Sequence, residues 1–180
     1  MPVPRLPADR LPRRPLSVSL LELSLVTILI GIFITVAIDR IWPLRITAEK
    51  TAVLEVQGAL ESALGITIAG RIARGAGLSA IARLQGANPM RFLATPPANY
   101  VGSFAHPRRH RIPPGSWYFD RRNRTLVYLV RFRHHFETPL TGPKRVRFRV
   151  ELVYRSKSHR LSGLAGVRLV QLNPYHWRAR

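Results

Sequence analysis

One carboxylate stands inside the most apolar stretch of the sequence. Glu22 is the only charged residue in the segment from Ser17 to Ile38. About twenty apolar residues form a helix long enough to cross the roughly 30 Å hydrocarbon core of a bilayer. A carboxylate inside such a segment costs several kcal/mol and needs a partner, so it marks a functional position by default. Glu22 is therefore the leading candidate for a functional residue.

The remaining titratable residues form no convincing catalytic or metal-binding pattern. His134 and His135 are adjacent and would point to opposite faces of a strand, while His106 and His110 lie on either side of Pro107. Carboxylates are too few in the second half of the chain for a calcium site built from clustered oxygen ligands. The absence of cysteine excludes disulfides and thiolate metal sites. We therefore predict no enzymatic activity, no cofactor and no metal.

Arginine gives the chain a large positive charge. The sequence holds 29 Lys and Arg against nine Asp and Glu, for a formal net charge of +20. Such a charge favours polyanionic partners, of which DNA is one candidate. The predicted phosphate-binding residues lie at a turn and on the exposed face of a strand, and they are Arg121, Arg122, Arg147 and Arg149. The alternative is a solvated surface on a protein of arginine-rich composition.

Three interpretations of the apolar segment compete. A cleaved secretory signal has an apolar region of roughly 7–15 residues and a small-x-small cleavage site, whereas this segment is longer and runs to Ile38-Asp39 without such a site. A simple signal anchor fits the length but gives Glu22 no role. The third interpretation is a resemblance: Val18-Ser19-Leu20-Leu21-Glu22-Leu23 resembles the mature start of type IV pilins and type II secretion pseudopilins.

This resemblance implies processing by a prepilin peptidase between Ser17 and Val18, followed by N-terminal methylation. Glu22 then becomes the fifth residue of the mature chain, as in the family, and Arg13 and Arg14 form the basic end of the leader. The family usually has glycine at the position of Ser17 and phenylalanine at that of Val18. The resemblance also implies that Glu22 directs assembly with other pilin or pseudopilin subunits, an inner-membrane assembly platform and membrane lipid.

The function expected from the resemblance is that of a pilin-like structural subunit of a type II secretion pseudopilus or a type IV pilus. The expected location is the bacterial inner membrane, crossed once, with the C-terminal head in the periplasm and the filament in the periplasm or at the surface. Two alternatives stand beside it. One is a minor pilin that binds DNA or another polyanion through its basic head, and the other is an uncleaved membrane anchor with a basic domain.

The next stretch has the spacing of an amphipathic helix, in which apolar residues recur every three or four positions. The stripe consists of Val53, Val56, Leu60, Leu64, Ile68 and Ile72. The polar residues predicted to lie elsewhere on the helix are Glu49, Lys50, Glu55, Gln57 and Glu61. Pro43 predicts a kink or break near residues 39–43, and the glycines at 70–77 predict the end of the helix.

The rest of the chain predicts a short helix, a proline-rich connector and a sheet. The short helix covers 78–84, and Phe92 and Tyr100 are expected to be hydrophobic plugs over the core. Strands are predicted, from alternation and turn residues, at 117–119, 125–133, 146–152 and 167–172. The tail 174–180 either packs at the sheet edge or hangs free.

The predicted fold class is therefore α+β. A long N-terminal helix, membrane-spanning in its first half and amphipathic in its second, packs on a small antiparallel sheet of about four strands. The predicted segments are a basic leader (1–17), a transmembrane and assembly helix (18–42), the amphipathic half of the helix (43–75), a connecting region (76–115) and the sheet head (116–180).

Overall fold

The computed structural model describes residues 19–155 and 164–178. The chain divides into two units, Met1–Ile41 and Trp42–Arg180, which are treated separately below. One helix, α1, spans Leu20–Ala73 and contributes residues to both. It is uninterrupted across position 43, so of the predicted kink or break the break is absent, and the kink stays a prediction. An interior proline removes one backbone donor, and here the neighbouring turns keep the helix continuous.

The second half of α1 carries the predicted apolar stripe. Val53, Leu60 and Leu64 are buried, and Val56 and Ile68 pack against the core that they form. Ile72, however, is 58% exposed, so the predicted stripe extends one turn too far.

Glycine ends α1 as predicted. Gly75 has φ +74, a conformation that favours glycine. Its N–H donates to the Ile72 carbonyl at 2.9 Å, and the Ala76 N–H donates to the Arg71 carbonyl at 2.9 Å. This is the pair of hydrogen bonds that closes a helix at a left-handed residue. The short helix α2 follows at Leu78–Ala82, within the predicted range.

The head contains more strands than predicted, and its sheet is mixed. The main sheet has the order β1-β2-β3-β5-β6, and β4 pairs with β7 in a second sheet. The strands β1 and β2 are parallel, while the other neighbouring pairs are antiparallel. The strand bounds are Tyr100–Phe104 (β1), Ser116–Asp120 (β2), Thr125–Leu129 (β3), Phe136–Glu137 (β4), Arg145–Tyr154 (β5), Leu164–Gln171 (β6) and His176–Trp177 (β7).

Three single-turn 3₁₀ helices lie in the connections, at Pro89–Phe92, Pro107–Arg109 and Arg133–His135. The last of them holds His134 and His135, which are therefore not on a strand. β3 ends at Leu129, four residues before the predicted end of that strand.

One face of the main sheet forms the core with α1. Alternate residues of each strand point to this face, as the two-residue period of a strand requires. The fully buried side chains include Trp117, Leu126, Val146, Phe148 and Val150. Phe92 and Tyr100 pack against this cluster, as predicted, and Tyr100 also begins β1.

The chain end packs on the small sheet. Trp177 is buried, and its ring meets that of Phe136 edge-on at 4.9 Å between centroids. Tyr175 stacks on Phe136 at 5.4 Å. Of the two alternatives for the tail, packing is therefore correct as far as residue 178.

Candidate functional site

The first candidate site is the apolar surface of α1 within the N-terminal unit. Leu20–Ile38 has 19 residues with a mean hydropathy of 2.5, and none of them is buried. Its side chains include Phe33 and Leu20, both largely exposed. By length and composition this segment can cross a bilayer. A second segment, Leu44–Ala73, also passes that test at a hydropathy of 1.3, but it supplies the core stripe of the head.

The polar side chains of the first segment bond to the backbone of their own helix, with one exception. The hydroxyls of Ser24, Thr27 and Thr35 donate to backbone carbonyls three or four residues earlier, at 2.8–2.9 Å. Such bonds let a hydroxyl enter hydrocarbon without an unpaired donor. Glu22 is exposed, and no residue in the described part of the chain bonds to its carboxylate. Ser17 and Val18, the predicted cleavage positions, lie outside the described residues.

A second carboxylate on α1 has the opposite environment. Glu49 is 8% exposed and accepts three hydrogen bonds. The Tyr128 hydroxyl donates to its Oε1 at 2.8 Å, the Arg131 N–H to Oε1 at 2.6 Å, and the Phe132 N–H to Oε2 at 3.0 Å. Burial and the neighbouring Glu49 raise the pKa of Tyr128 well above its ordinary value, so its hydroxyl remains a donor. Glu49 thus attaches α1 to the end of β3.

The prediction that Glu49 lies on the polar side of the helix is therefore wrong. The sequence did contain a signal for its burial. Glu49 lies three residues after Ile46 and four before Val53, both of which are buried. It therefore occupies a position on the apolar stripe itself. A buried carboxylate in that register requires donors from another element, here the residues that follow β3.

The four predicted polyanion-binding arginines fall into two pairs. Arg121 and Arg122 are exposed in the turn between β2 and β3. That turn is held by Asp120, whose Oδ1 accepts from the N–H groups of Arg122 at 3.0 Å and Asn123 at 3.1 Å. The Asn123 Nδ2 also donates to Asp120 Oδ2 at 2.7 Å. The turn predicted at these residues is therefore present.

Arg147 and Arg149 lie on the face of β5 opposite the core, but they are half-buried instead of exposed. The reason is Val127, which points to the same face yet is only 3% exposed. Tyr118 and Arg147 lie in register on either side of Val127. Their long side chains cover it, since arginine packs its aliphatic stem on apolar surface. The prediction of a fully exposed basic strand face is thus corrected.

This outer face holds two buried guanidinium nitrogens that lack a partner among the described residues. The Nε atoms of Arg147 and Arg149 are buried and have no hydrogen-bond partner among the described residues. The Arg149 Nη2 donates to the Asn123 carbonyl at 3.3 Å, which brings this side chain to the turn that holds Arg121 and Arg122. Burial raises the pKa of the Tyr118 phenol on the same face, and Arg145 and Arg147 oppose that rise.

The described part of the chain contains no cluster of potential metal ligands. Among residues 19–155 and 164–178, no three His, Asp or Glu side chains are grouped as ligands for a metal ion. The ring of His110 packs on that of Phe104, with 4.5 Å between the centroids.

Comparison with known proteins adds no family. No family model matches the chain. No curated protein and no solved structure matches it either.

Proposed function

We propose that the protein is a pilin-like subunit, anchored in a bacterial inner membrane through Leu20–Ile38 and assembled into a type II secretion pseudopilus or a type IV pilus. The observation that supports this most is the apolar segment in which no residue is buried and Glu22 is the single charge. A soluble protein would hide such a surface, and a simple anchor would not carry the carboxylate.

Glu22 requires a partner that the described residues do not supply. An unpaired carboxylate in hydrocarbon is costly, and an amine beside it recovers much of that cost. Cleavage between Ser17 and Val18 would create a positive amine four residues from Glu22, one helical turn away. The same amine on a neighbouring subunit would pair with Glu22 and set the axial position of one subunit against the next.

The test is assembly of the Glu22→Leu variant in a host that contains a prepilin peptidase and a filament machine. We expect this variant to accumulate in the membrane but to be missing from sheared filaments, because its insertion is easier and its intersubunit pair is lost. Thr27→Val is the matched control, since it removes a polar group whose hydroxyl bonds only within the helix. Normal incorporation of Glu22→Leu would refute the assembly role.

Processing is tested separately by mass spectrometry of the membrane-extracted chain. We expect a mature protein that begins at Val18 with a methylated amine. A chain that keeps residues 1–17 in a peptidase-positive host would instead support an uncleaved membrane anchor.

A second candidate function is the binding of DNA or another polyanion by the head. It is favoured by the exposed Arg121 and Arg122 and by the guanidinium of Arg149, which donates to the Asn123 carbonyl of the same turn. On duplex DNA, log affinity should fall with log salt concentration at about −0.9 per phosphate contact. Absence of binding by the full chain at low salt would indicate that the charge is compositional.

The structure indicates which variants test this binding without unfolding the head. Arg121→Glu with Arg122→Glu alters exposed turn residues only, whereas reversing Arg147 would uncover Val127. We expect the turn variant to weaken DNA binding and to lower the salt dependence. A double variant with the same change of charge elsewhere, Arg74→Glu with Arg91→Glu, is the control.

A further inference from the structure

The main sheet has two edge strands, and they differ in how they are protected. β1 is five residues long, its register shifts between Tyr100 and Ser103, and Gly102 has φ +106. Irregular, short edges of this kind resist further pairing. β6 is eight residues long, and it pairs with β5 in regular register from Phe148 to Leu152. The edge at β6 is therefore the one suited to accept another strand.

The backbone groups on that edge can be identified from the hydrogen bonds of β5. The Leu172 N–H donates to the Arg147 carbonyl at 2.8 Å, so Arg147 directs its backbone groups toward β6. Val150 directs its carbonyl the other way, where it accepts from the Gly86 N–H at 2.9 Å. Since backbone groups alternate along an antiparallel pair, Arg168 and Val170 point toward β5.

The intervening residues Val167, Leu169 and Gln171 therefore point their N–H and C=O groups away from the sheet. No described residue forms a backbone hydrogen bond with them, although α2 lies beside β6. A row of such groups is a template for an added strand.

The side chains of β6 define what an added strand would carry. Val167 and Leu169 face the core side, where both pack with the core cluster. Arg168 is exposed on the opposite side, the one that also holds Arg147 and Arg149. Residues of an added strand alternate between the same two sides. A matching strand would thus place apolar side chains beside Val167 and Leu169, and charged ones beside Arg168.

The net charge of the second unit favours an acidic partner over a second copy of the chain as the source of the added strand. Five of the 29 Lys and Arg and three of the nine Asp and Glu precede Trp42, which leaves 24 basic residues against six acidic ones in the second unit. Two such units repel each other, and Arg168 on each edge adds to that repulsion. Glu151 lies opposite Arg168 on β5, but Arg147 and Arg149 on the same side leave this side of the sheet positive, so it attracts a strand that carries carboxylates.

We propose that the outer edge of β6 binds an extended, acidic segment of a partner protein as an added β-strand. Main-chain bonds to Val167, Leu169 and Gln171 hold the segment, and Asp or Glu side chains beside Arg168 select it. This inference does not depend on the assembly role of Glu22, because it concerns only the head.

The test uses the full chain in mild detergent and a labelled seven-residue peptide with alternating Val and Glu. Two control peptides have Lys in place of Glu, or N-methyl groups on alternate amides. We expect each control to bind at least about tenfold more weakly, the ratio that one lost charged contact or main-chain bond can produce. Hydrogen exchange should slow at the amides of Val167, Leu169 and Gln171 when the Glu peptide is added.

Two variants separate the main-chain and charge contributions. Val167→Pro removes the N–H group that points away from the sheet and keeps the backbone bonds to β5. Proline is tolerated on an edge strand at such an outward-pointing position. This variant should bind the Glu peptide about tenfold more weakly. Arg168→Gln does not alter the backbone and should reduce the preference for the Glu peptide over the Lys peptide, whereas Arg91→Gln should not.

Two results would overturn the proposal. The first is equal binding of the Glu and Lys peptides without slowed exchange at the three amides. The second is a dimer of the chain alone that protects those amides, since the occupant would then be a second copy.

Discussion

Glu22 and Glu49 lie on the same helix, and yet they have opposite surroundings. Glu22 is exposed among exposed apolar side chains and has no partner in the described part of the chain. Glu49 is buried and accepts three hydrogen bonds from the end of β3. Glu49 therefore has its partners within the head, whereas no described residue pairs with the carboxylate of Glu22.

The bonds of Glu49 explain why a charge is tolerated in the head. Removing a carboxylate from water is costly, and the cost is offset only when its oxygens are well bonded. Two of the three donors are backbone N–H groups that follow the end of β3, where the strand ladder no longer supplies acceptors. The carboxylate and these donors therefore depend on each other.

The comparison predicts that substitution of the two glutamates affects stability very differently. Glu49→Ala should lower the free energy of unfolding of the head by about 3–5 kcal/mol, because three donors lose their acceptor. Glu22→Ala should leave that free energy unchanged. Denaturation of the full chain in mild detergent, followed by tryptophan fluorescence, measures both. A loss below about 1 kcal/mol for Glu49→Ala would show that water replaces the carboxylate.

A smaller effect is expected from the hydroxyl that bonds to Glu49. Tyr128→Phe keeps the packing of the ring on Trp117 but removes one of three donors. A hydrogen bond to a charged group contributes about 1.5–3 kcal/mol, so we expect a loss in that range. The same unfolding experiment tests it, and Tyr175→Phe, a ring without a bond to Glu49, is the control.

The pH dependence of the head should change with the same variant. Burial raises the pKa of Tyr128 in the folded state above that in the unfolded state. The unfolded chain therefore loses the proton first, and stability falls as the pH rises above about 10. Tyr128→Phe should make this decline shallower. It should not remove it, because burial also raises the pKa of Tyr118 and Tyr175.

Sequence patterns predicted the secondary-structure elements whose formation depends on residues close together in the chain. The spacing of Val53, Leu60 and Leu64 predicted the buried stripe, and Gly75 lies where the helix was expected to end. The strict alternation around Phe148 predicted β5. In each case the residues within one or two turns, or within one strand, contain the whole signal.

Features that depend on distant partners were not predictable in this way. β1 is a short strand with a glycine in its centre, and it exists because β2 pairs with it in parallel. The sheet of Phe136 and Trp177 joins residues far apart in sequence. The burial of Arg147 similarly depends on Val127 of the next strand. The role of Glu22 stays a prediction, because no described residue pairs with its carboxylate.

Asp120 should have an effect on stability between those of Glu49 and Glu137. Asp120 is buried like Glu49, but its acceptor bonds reach only the next two or three residues, in the β2–β3 turn. Asp120→Ala should cost about 1–2 kcal/mol, less than Glu49→Ala, because the released N–H groups of Arg122 and Asn123 lie at an exposed turn and can bond to water. Thermal unfolding measures the difference. Equal losses for the two variants would remove the distinction between local and long-range anchoring.

The smallest effect is expected for an exposed acid. Glu137 forms an ion pair with Arg178, and their side chains are 48% and 68% exposed. Exposed pairs contribute about 0–1 kcal/mol, since solvent screens the charges and both side chains lose freedom. We expect Arg178→Gln to change the free energy of unfolding by less than about 0.5 kcal/mol and to lose even that difference in 1 M salt, where the screening length is about 3 Å. The backbone bond from the Arg178 N–H to the His135 carbonyl is kept in this variant. A loss comparable to that of Glu49→Ala would mean that the ion pair holds Trp177 on the small sheet. It would also mean that the exposed fraction of an acidic side chain does not predict how much it contributes to stability.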